Sequence, residues 1–249
     1  VPLSERKVIM RRAVQFLREQ SIINVGTGIP NDSLGSILAE EGVSSDVTIT
    51  VESGVYGGVP YGGPDFGVSQ NPSALIRQNQ QFDLYTGRGV DFTFMGCGES
   101  DQFGNINTTK MGNIAPGCGG FVDITSNAKT VVFCSTFTGK GLDVEFDEEK
   151  GVTINKEGSL IKFKKEVVQI SFNAKHNTKK GTKVFHVTER AVFEITEEGY
   201  ILIEIAKGVD LEKDILGQME FVPKISDELR EINTAIYADE AFGLVLEKN

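Results

Sequence analysis

The sequence has no apolar run near the roughly 18 residues that a membrane-crossing helix needs, so no membrane association is expected. It also has no basic excess: 25 Lys and Arg stand against 35 Asp and Glu, a formal charge of -10. Nucleic-acid binders present basic faces, so a nucleic-acid partner is not expected either. Cysteines are few and odd in number, Cys97, Cys118 and Cys134, without the short paired spacing of a zinc site. They read as reduced thiols of an intracellular compartment, with no metal. The cytoplasm is the default location and an organelle matrix the alternative. Of the two histidines, His176 and His186, neither lies beside a glycine-rich loop, as a Ser or Cys hydrolase would need. His186, in the alternating run KVFHVTE, reads as a structural strand residue. The amino-terminal stretch VPLSERKVIMRRAVQFL is interrupted by charges and does not read as a signal peptide. It lacks an initiator Met, and the expectation is a processed piece or part of a longer chain.

Glycine, by contrast, is plentiful, and its placement organises the chain. Ser4 is set to cap a helix bearing Ile9, Ala13, Phe16 and Leu17 at helical spacing. IINVGTGIP (22–30) is a short β-branched run ending in Gly26 and Gly28, after which Asn31 or Asp32 is placed to cap a helix over SLGSILAEEG. VTITVESG (47–54) repeats the pattern, with NPSALIRQ (71–78) read as a short helix beyond it. VDFTFMG (90–96) and KTVVFCSTF (129–137) are two further buried strands. Strands alternating with helices predict an open, largely parallel α/β sheet with flanking helices, whose ligands bind beyond the carboxyl ends of the strands. From about residue 140 the texture becomes β-rich, with alternating segments read as antiparallel hairpins. Helices are expected over 210–219, capped by Asp210, and over 226–237. No linker or repeat divides the chain, so 1–249 is expected to be a single domain.

One acid is surrounded by bare backbone. VESGVYGGVPYGGPDFG (51–67) places Glu52 at a strand end and follows it with six glycines. A carboxylate is ionised at neutral pH and needs no base to act as a nucleophile. Gly54, Gly57, Gly58, Gly62 and Gly63 would leave room beside it for an acyl group, with Tyr56, Tyr61 and Phe66 nearby to limit its length. The structural alternative is a surface glutamate at a strand end. GCGGF (117–121) would supply converging backbone amides for an oxyanion, or be a turn before a strand. VGTGIP lacks the third glycine of a dinucleotide fingerprint, because Asn31 occupies that place. Cys118 has the glycine-rich surroundings of a reactive thiol, whereas Cys97 and Cys134 read as small core residues.

In their order along the chain, ESGVYGG, the GNIN segment, GCGGF with NAKTVVFC after it, and TERAVFEIT resemble the family I coenzyme A transferases. The likeness is to the carboxyl-terminal, nucleophile-bearing half of acetate and propionate CoA-transferases. It implies a fold shared with sugar-phosphate isomerases, Glu52 as the nucleophile in an E-x-G setting, and an oxyanion amide from Gly119 or Gly120. It also implies CoA and substrate contacts at Gly26, Gly28, Gly54, Gly57, Gly58, Asn105, Asn107 and Lys129, with Lys110 as a second candidate for the CoA phosphates. The implied reaction moves CoA between a short-chain acyl-CoA and a carboxylate (acetate, propionate, butyrate or acetoacetate) by a ping-pong route through a glutamyl-CoA thioester. CoA is then a substrate, and no resident cofactor is implied. The partner implied is an amino-terminal or α-type half, in the same precursor or as a separate subunit, within a higher oligomer. A ligand-sensing module of the same fold and an acyl-CoA hydrolase are the alternatives.

Overall fold

The computed structural model describes residues 2–248. Its frame is a ten-stranded sheet. In chain order the strands are β1 (Ile22–Val25), β2 (Thr48–Val51), β3 (Val55–Tyr56), β4 (Ala74–Leu75), β5 (Val90–Gly96), β6 (Ala128–Cys134), β7 (Lys183–Val187), β8 (Ala191–Thr196), β9 (Gly199–Ile205) and β10 (Lys224–Glu231). In space they run β10-β9-β8-β7-β6-β5-β1-β2-β3-β4. The central five, β7-β6-β5-β1-β2, are mutually parallel. Antiparallel pairs extend the sheet on both sides, β2 with β3 and β3 with β4 at one end, β7 with β8 and β8 with β9 at the other. The β-rich part of the sequence therefore continues the same sheet.

Buried on both faces, the central strands read as near-continuous apolar runs. One face packs on α1 (Glu5–Ala13) and α2 (Ile29–Glu40) through Val8, Ile9, Leu34, Ile37 and the strand residues Ile23, Phe94 and Val132. The other carries α3 (Gln78–Gly87), α4 (Phe121–Asn127) and α5 (Ala174–Lys179) over Met95, Val131, Phe133 and Phe193. Alternation along β5 sends Phe94 to the first face and Met95 to the second, as period two requires.

Several local expectations hold. The Ser4 hydroxyl accepts from the amide of Lys7 at 3.3 Å and caps α1. Asp210 caps the turn that follows it, accepting from the amide of Lys213 at 2.7 Å, although that turn is a short irregular coil rather than a full α-helix. Others are corrected. α2 begins at Ile29 with Gly28 as its cap, so Asn31 and Asp32 lie inside the first turn. Residues 71–78 are not a helix: Ala74–Leu75 form the sheet's edge strand, held by the amide of Ser73 on Tyr56 O and that of Ile76 on Gly54 O, and α3 starts only at Gln78. Residues 224–231 form β10, because the open edge of β9 offers a ladder that the charged sequence KISDELRE cannot match with a buried helical stripe.

Candidate active site

Three neighbouring parallel strands end at one cleft. Gly26 and Thr27 follow β1, Glu52 follows β2, and Gly96, Cys97 and Gly98 finish β5; all six line a cavity of ≈ 470 Å³. Phe66, Thr108, Met111 and the loop Pro116–Phe121 close its sides. A ligand cleft at the carboxyl ends of parallel strands is where such sheets hold their substrates.

Glu52 is half-buried, and among the described residues no hydrogen bond or ion pair engages its carboxylate. Burial without compensation raises its pKa above the ordinary carboxylate value. Its neighbour is Gly120, the first residue before α4. A methyl placed on Gly120 would stand 2.6 Å from Glu52 Oε2 and 2.6 Å from Phe82 Cζ. The backbone there has φ -80°, which any residue tolerates, so this glycine is required by space. Gly119 differs: its φ is +49° with open space around it, so it shapes the loop. The GCGG segment is thus a turn into a helix rather than into a strand. It carries Cys118, exposed, on the cleft wall.

The loop after Glu52 is pinned where the Ser53 hydroxyl donates to Gly67 O at 2.7 Å. Within it the glycines are packed against other chain segments. A methyl on Gly54 would lie 2.1 Å from Ile76 O, one on Gly57 2.6 Å from Ser73 Oγ, and one on Gly58 2.2 Å from Gln70 O. All three have positive φ, so the hairpin itself demands them, and none lines the cleft. Gly62 abuts Asp32 in the same way, while Gly63 faces open space.

The asparagines hold the framework. Asn105 donates to Asp101 Oδ2 at 3.1 Å and accepts from Asn173. Asn107 donates to Glu99 and to Lys110 O, each at 2.7 Å, and accepts the amides of Thr109 and Lys110. It thereby shapes the turn that brings Thr108 and Met111 to the cleft, but neither asparagine lines it. Gly28 caps α2 one residue beyond the lining Gly26 and Thr27. Lys129 is not brought to the cleft. It sits near the start of β6, whose far end, Cys134, pairs with Gly96 at the cleft, so about five residues of extended strand, roughly 16 Å, separate the two. Its ammonium pairs with Asp91 at 2.8 Å.

Sequence reasoning missed Phe82, on α3, and the lining residues Met95 and Met111. Only α3's short apolar pair Phe82 and Tyr85 hinted at a buried face. His186 is buried between Ser135 and Tyr200, at 2.9 Å from each, and burial pushes its pKa down to about 3, with the nearby Lys162 charge adding to the effect. It is neutral and lies outside the cleft.

A parallel α/β sheet that sets an unpaired, partly desolvated carboxylate among backbone amides defines a site suited to acyl transfer through a carboxylate nucleophile. Similarity to known proteins agrees. No protein-family profile matches the chain. It is 41% identical over 246 residues to acetate CoA-transferase YdiF of Escherichia coli (strain K12), covering 99% of this chain and 46% of that protein. It is also 41% identical to caffeate CoA-transferase of Acetobacterium woodii over 249 residues, covering 98% of this chain and 47% of that one. Acetate CoA-transferase subunit beta of Haemophilus influenzae is 27% identical over 239 residues, 92% of this chain and 96% of that subunit. Among solved structures, the thioester complex with CoA of the acyl-CoA transferase YdiF from E. coli O157:H7 superposes with TM-score 0.92 at 39% identity, over 100% of this chain and 47% of that one. The chain belongs to the family I coenzyme A transferases. It spans about half the length of the first two relatives.

Proposed function

We propose that this chain is the nucleophile-bearing, carboxyl-terminal half of a CoA-transferase that moves CoA between a short-chain acyl-CoA and a carboxylate. The observation that carries the reading is the Glu52 carboxylate: unpaired, half-buried, at a strand end in the cleft, and pressed against Gly120 of the GCGG loop. Partial desolvation makes it a stronger base and nucleophile than a surface glutamate, yet it needs no proton acceptor to react.

In this scheme a Glu52 oxygen attacks the thioester carbonyl of the acyl-CoA. The C–S bond breaks, CoA leaves as thiolate, and an acyl-glutamyl anhydride remains. The thiolate attacks the Glu52 carbonyl of that anhydride and expels the first carboxylate, leaving a glutamyl-CoA thioester. The acceptor carboxylate then attacks this thioester and repeats both steps in reverse, releasing Glu52 and the new acyl-CoA. Water takes no part and no redox change occurs. Each tetrahedral intermediate places negative charge on oxygen, which amides at Gly119 or Gly120 are positioned to meet. Gly26 and Thr27 would flank the pantetheine arm. No cofactor beyond the substrate CoA enters the scheme.

The complete enzyme in this reading includes an amino-terminal or α-type half that closes the cleft, assembled in a higher oligomer in the cytoplasm or an organelle matrix. Among the described residues no helix is long and apolar enough to cross a membrane. The test supplies that half and measures CoA exchange with acetate as acceptor. Glu52→Gln should lower the rate by on the order of 10⁴-fold. Borohydride reduction after incubation with acyl-CoA, followed by peptide mass analysis, should mark residue 52. An unmodified residue 52 favours a sensor, and CoA release that ignores acetate favours a hydrolase.

A further inference from the structure

Beneath the cleft floor lies a buried polar row. The strand register sets Asn24 of β1 opposite Thr50 of β2 and opposite Thr93 of β5, in the middle of otherwise apolar runs. All three are essentially inaccessible, as is Tyr85, which reaches them from α3. The hydrogen bonds have one direction. Thr93 Oγ1 donates to Asn24 Oδ1 at 2.9 Å, and Asn24 Nδ2 donates to the Tyr85 phenol oxygen at 2.9 Å. Thr50 spends its single proton on Ile23 O at 2.7 Å, so in its 2.9 Å contact with Tyr85 it is the acceptor and the phenol is the donor. Burial pushes the Tyr85 pKa up to about 12, which keeps that donor protonated.

Period two along each strand puts the next residue of the same face directly over this row. Those residues are Gly26, Glu52 and Met95, and all three line the cleft. One turn before Tyr85 on α3 comes Phe82, whose ring meets that of Tyr85 edge-on at 5.8 Å and whose tip shares the space beside Gly120 with Glu52 Oε2. The phenol is therefore the bolt between α3 and the strand end that carries the nucleophile.

We propose that Tyr85 is a positioning residue: by joining α3 to Thr50 and Asn24, it sets Phe82 as the apolar wall that holds Glu52 against Gly120. This rests on the reading of Glu52 as nucleophile, but its decisive measurement does not. The titratable groups on the elements around Glu52 are Tyr56 of β3, Tyr85 of α3, Cys97 after β5 and Cys118 of the glycine loop. No other carboxylate and no cation lines the cleft among the described residues. The wall's removal should thus appear as water reaching Glu52.

The test is a ¹³C NMR titration of glutamate carboxyls in the chain as it stands, with Glu52 assigned as the resonance lost in Glu52→Gln. Tyr85→Phe should move the Glu52 midpoint down toward the ordinary carboxylate value and, with the other half supplied, lower kcat about tenfold at unchanged KM. Tyr200→Phe is the matched control: it removes an equally buried phenol, hydrogen-bonded to His186 at 2.9 Å, on a distant strand. It should lower stability comparably and leave the Glu52 midpoint in place. An unmoved midpoint in Tyr85→Phe, or an equal displacement in Tyr200→Phe, overturns the proposal, whether or not Glu52 proves to be the nucleophile.

Discussion

At the scale of single residues, the site is a compromise between a charge and its surroundings. Gly120 is the clearest case, because its backbone angles suit any side chain and only the space beside Glu52 forbids one. Gly120→Ala should therefore fold, displacing only the tips of Glu52 and Phe82. That costs about 1 kcal/mol, or about 2–4 °C in Tm for a chain of this size. The misplaced carboxylate should lose on the order of 10²-fold in CoA exchange. A variant that keeps full exchange would show that the contact is irrelevant to the chemistry. Glu52 itself should weaken the fold. Its native pKa is raised by burial, so its contribution to stability is complete below the unfolded value of about 4.3 and is lost as pH rises through the native one. Glu52→Gln removes that loss. Its Tm should exceed wild type at pH 7, and the difference should vanish by about pH 4; a lower Tm at pH 7 would contradict the burial argument.

At the scale of elements, the sheet joins its two regions through polar contacts as well as apolar ones. His186 on β7 is held neutral between Ser135, just past β6, and Tyr200 on β9. With a native pKa of about 3, it leaves the unfolded chain to take up a proton first. Stability from this group is complete above about pH 6.5 and is lost as pH falls through the native value, at up to about 1.4 kcal/mol per pH unit. Urea unfolding at several pH values should show that slope in wild type and a slope smaller by one proton in His186→Asn. Equal slopes would mean that the histidine is hydrated. The same elements show what was legible beforehand. β1, β2, β5 and β6 could be read because β-branched runs stop at glycines, and Glu52 with the GCGG loop could be read because they lie at such stops. β4 and β10 could not: each exists because a neighbouring strand leaves an edge open, which local pattern does not record. Lys129 was placed near the phosphates on sign of charge alone, and the strand's direction carries it to the opposite end. The polar row left a trace, one Asn or Thr inside each of three apolar strands, but only the register shows that they meet.

At the scale of the whole molecule, the face opposite the cleft is sealed by the chain's own last turns. Arg11 of α1 is fully buried and donates to Ile236 O at 3.0 Å, to Ala238 O and to Glu240 O. Glu41, capping α2, accepts the amides of Phe242 and Gly243 at 2.9 Å and that of Leu244 at 2.8 Å. Between them they hold residues 236–244 down, and Leu244 and Leu246 enter the α1–α2 core. Two ionised side chains thus satisfy backbone groups of both polarities in one segment, each such hydrogen bond contributing about 1.5–3 kcal/mol. Glu41→Ala should cost about 2–3 kcal/mol, because three amides lose one acceptor together, and Arg11→Met a similar amount. Both clamps order the same stretch, so releasing it once removes most of what the second holds. The double variant should therefore cost less than the sum by about 1 kcal/mol or more. The cleft lies on the other face of the sheet, so CoA exchange per folded molecule, assayed well below Tm, should stay at the wild-type rate. Additive costs in urea unfolding would show that the two clamps act on independent segments, and a fall in exchange by the folded variants would show that this face communicates with the cleft.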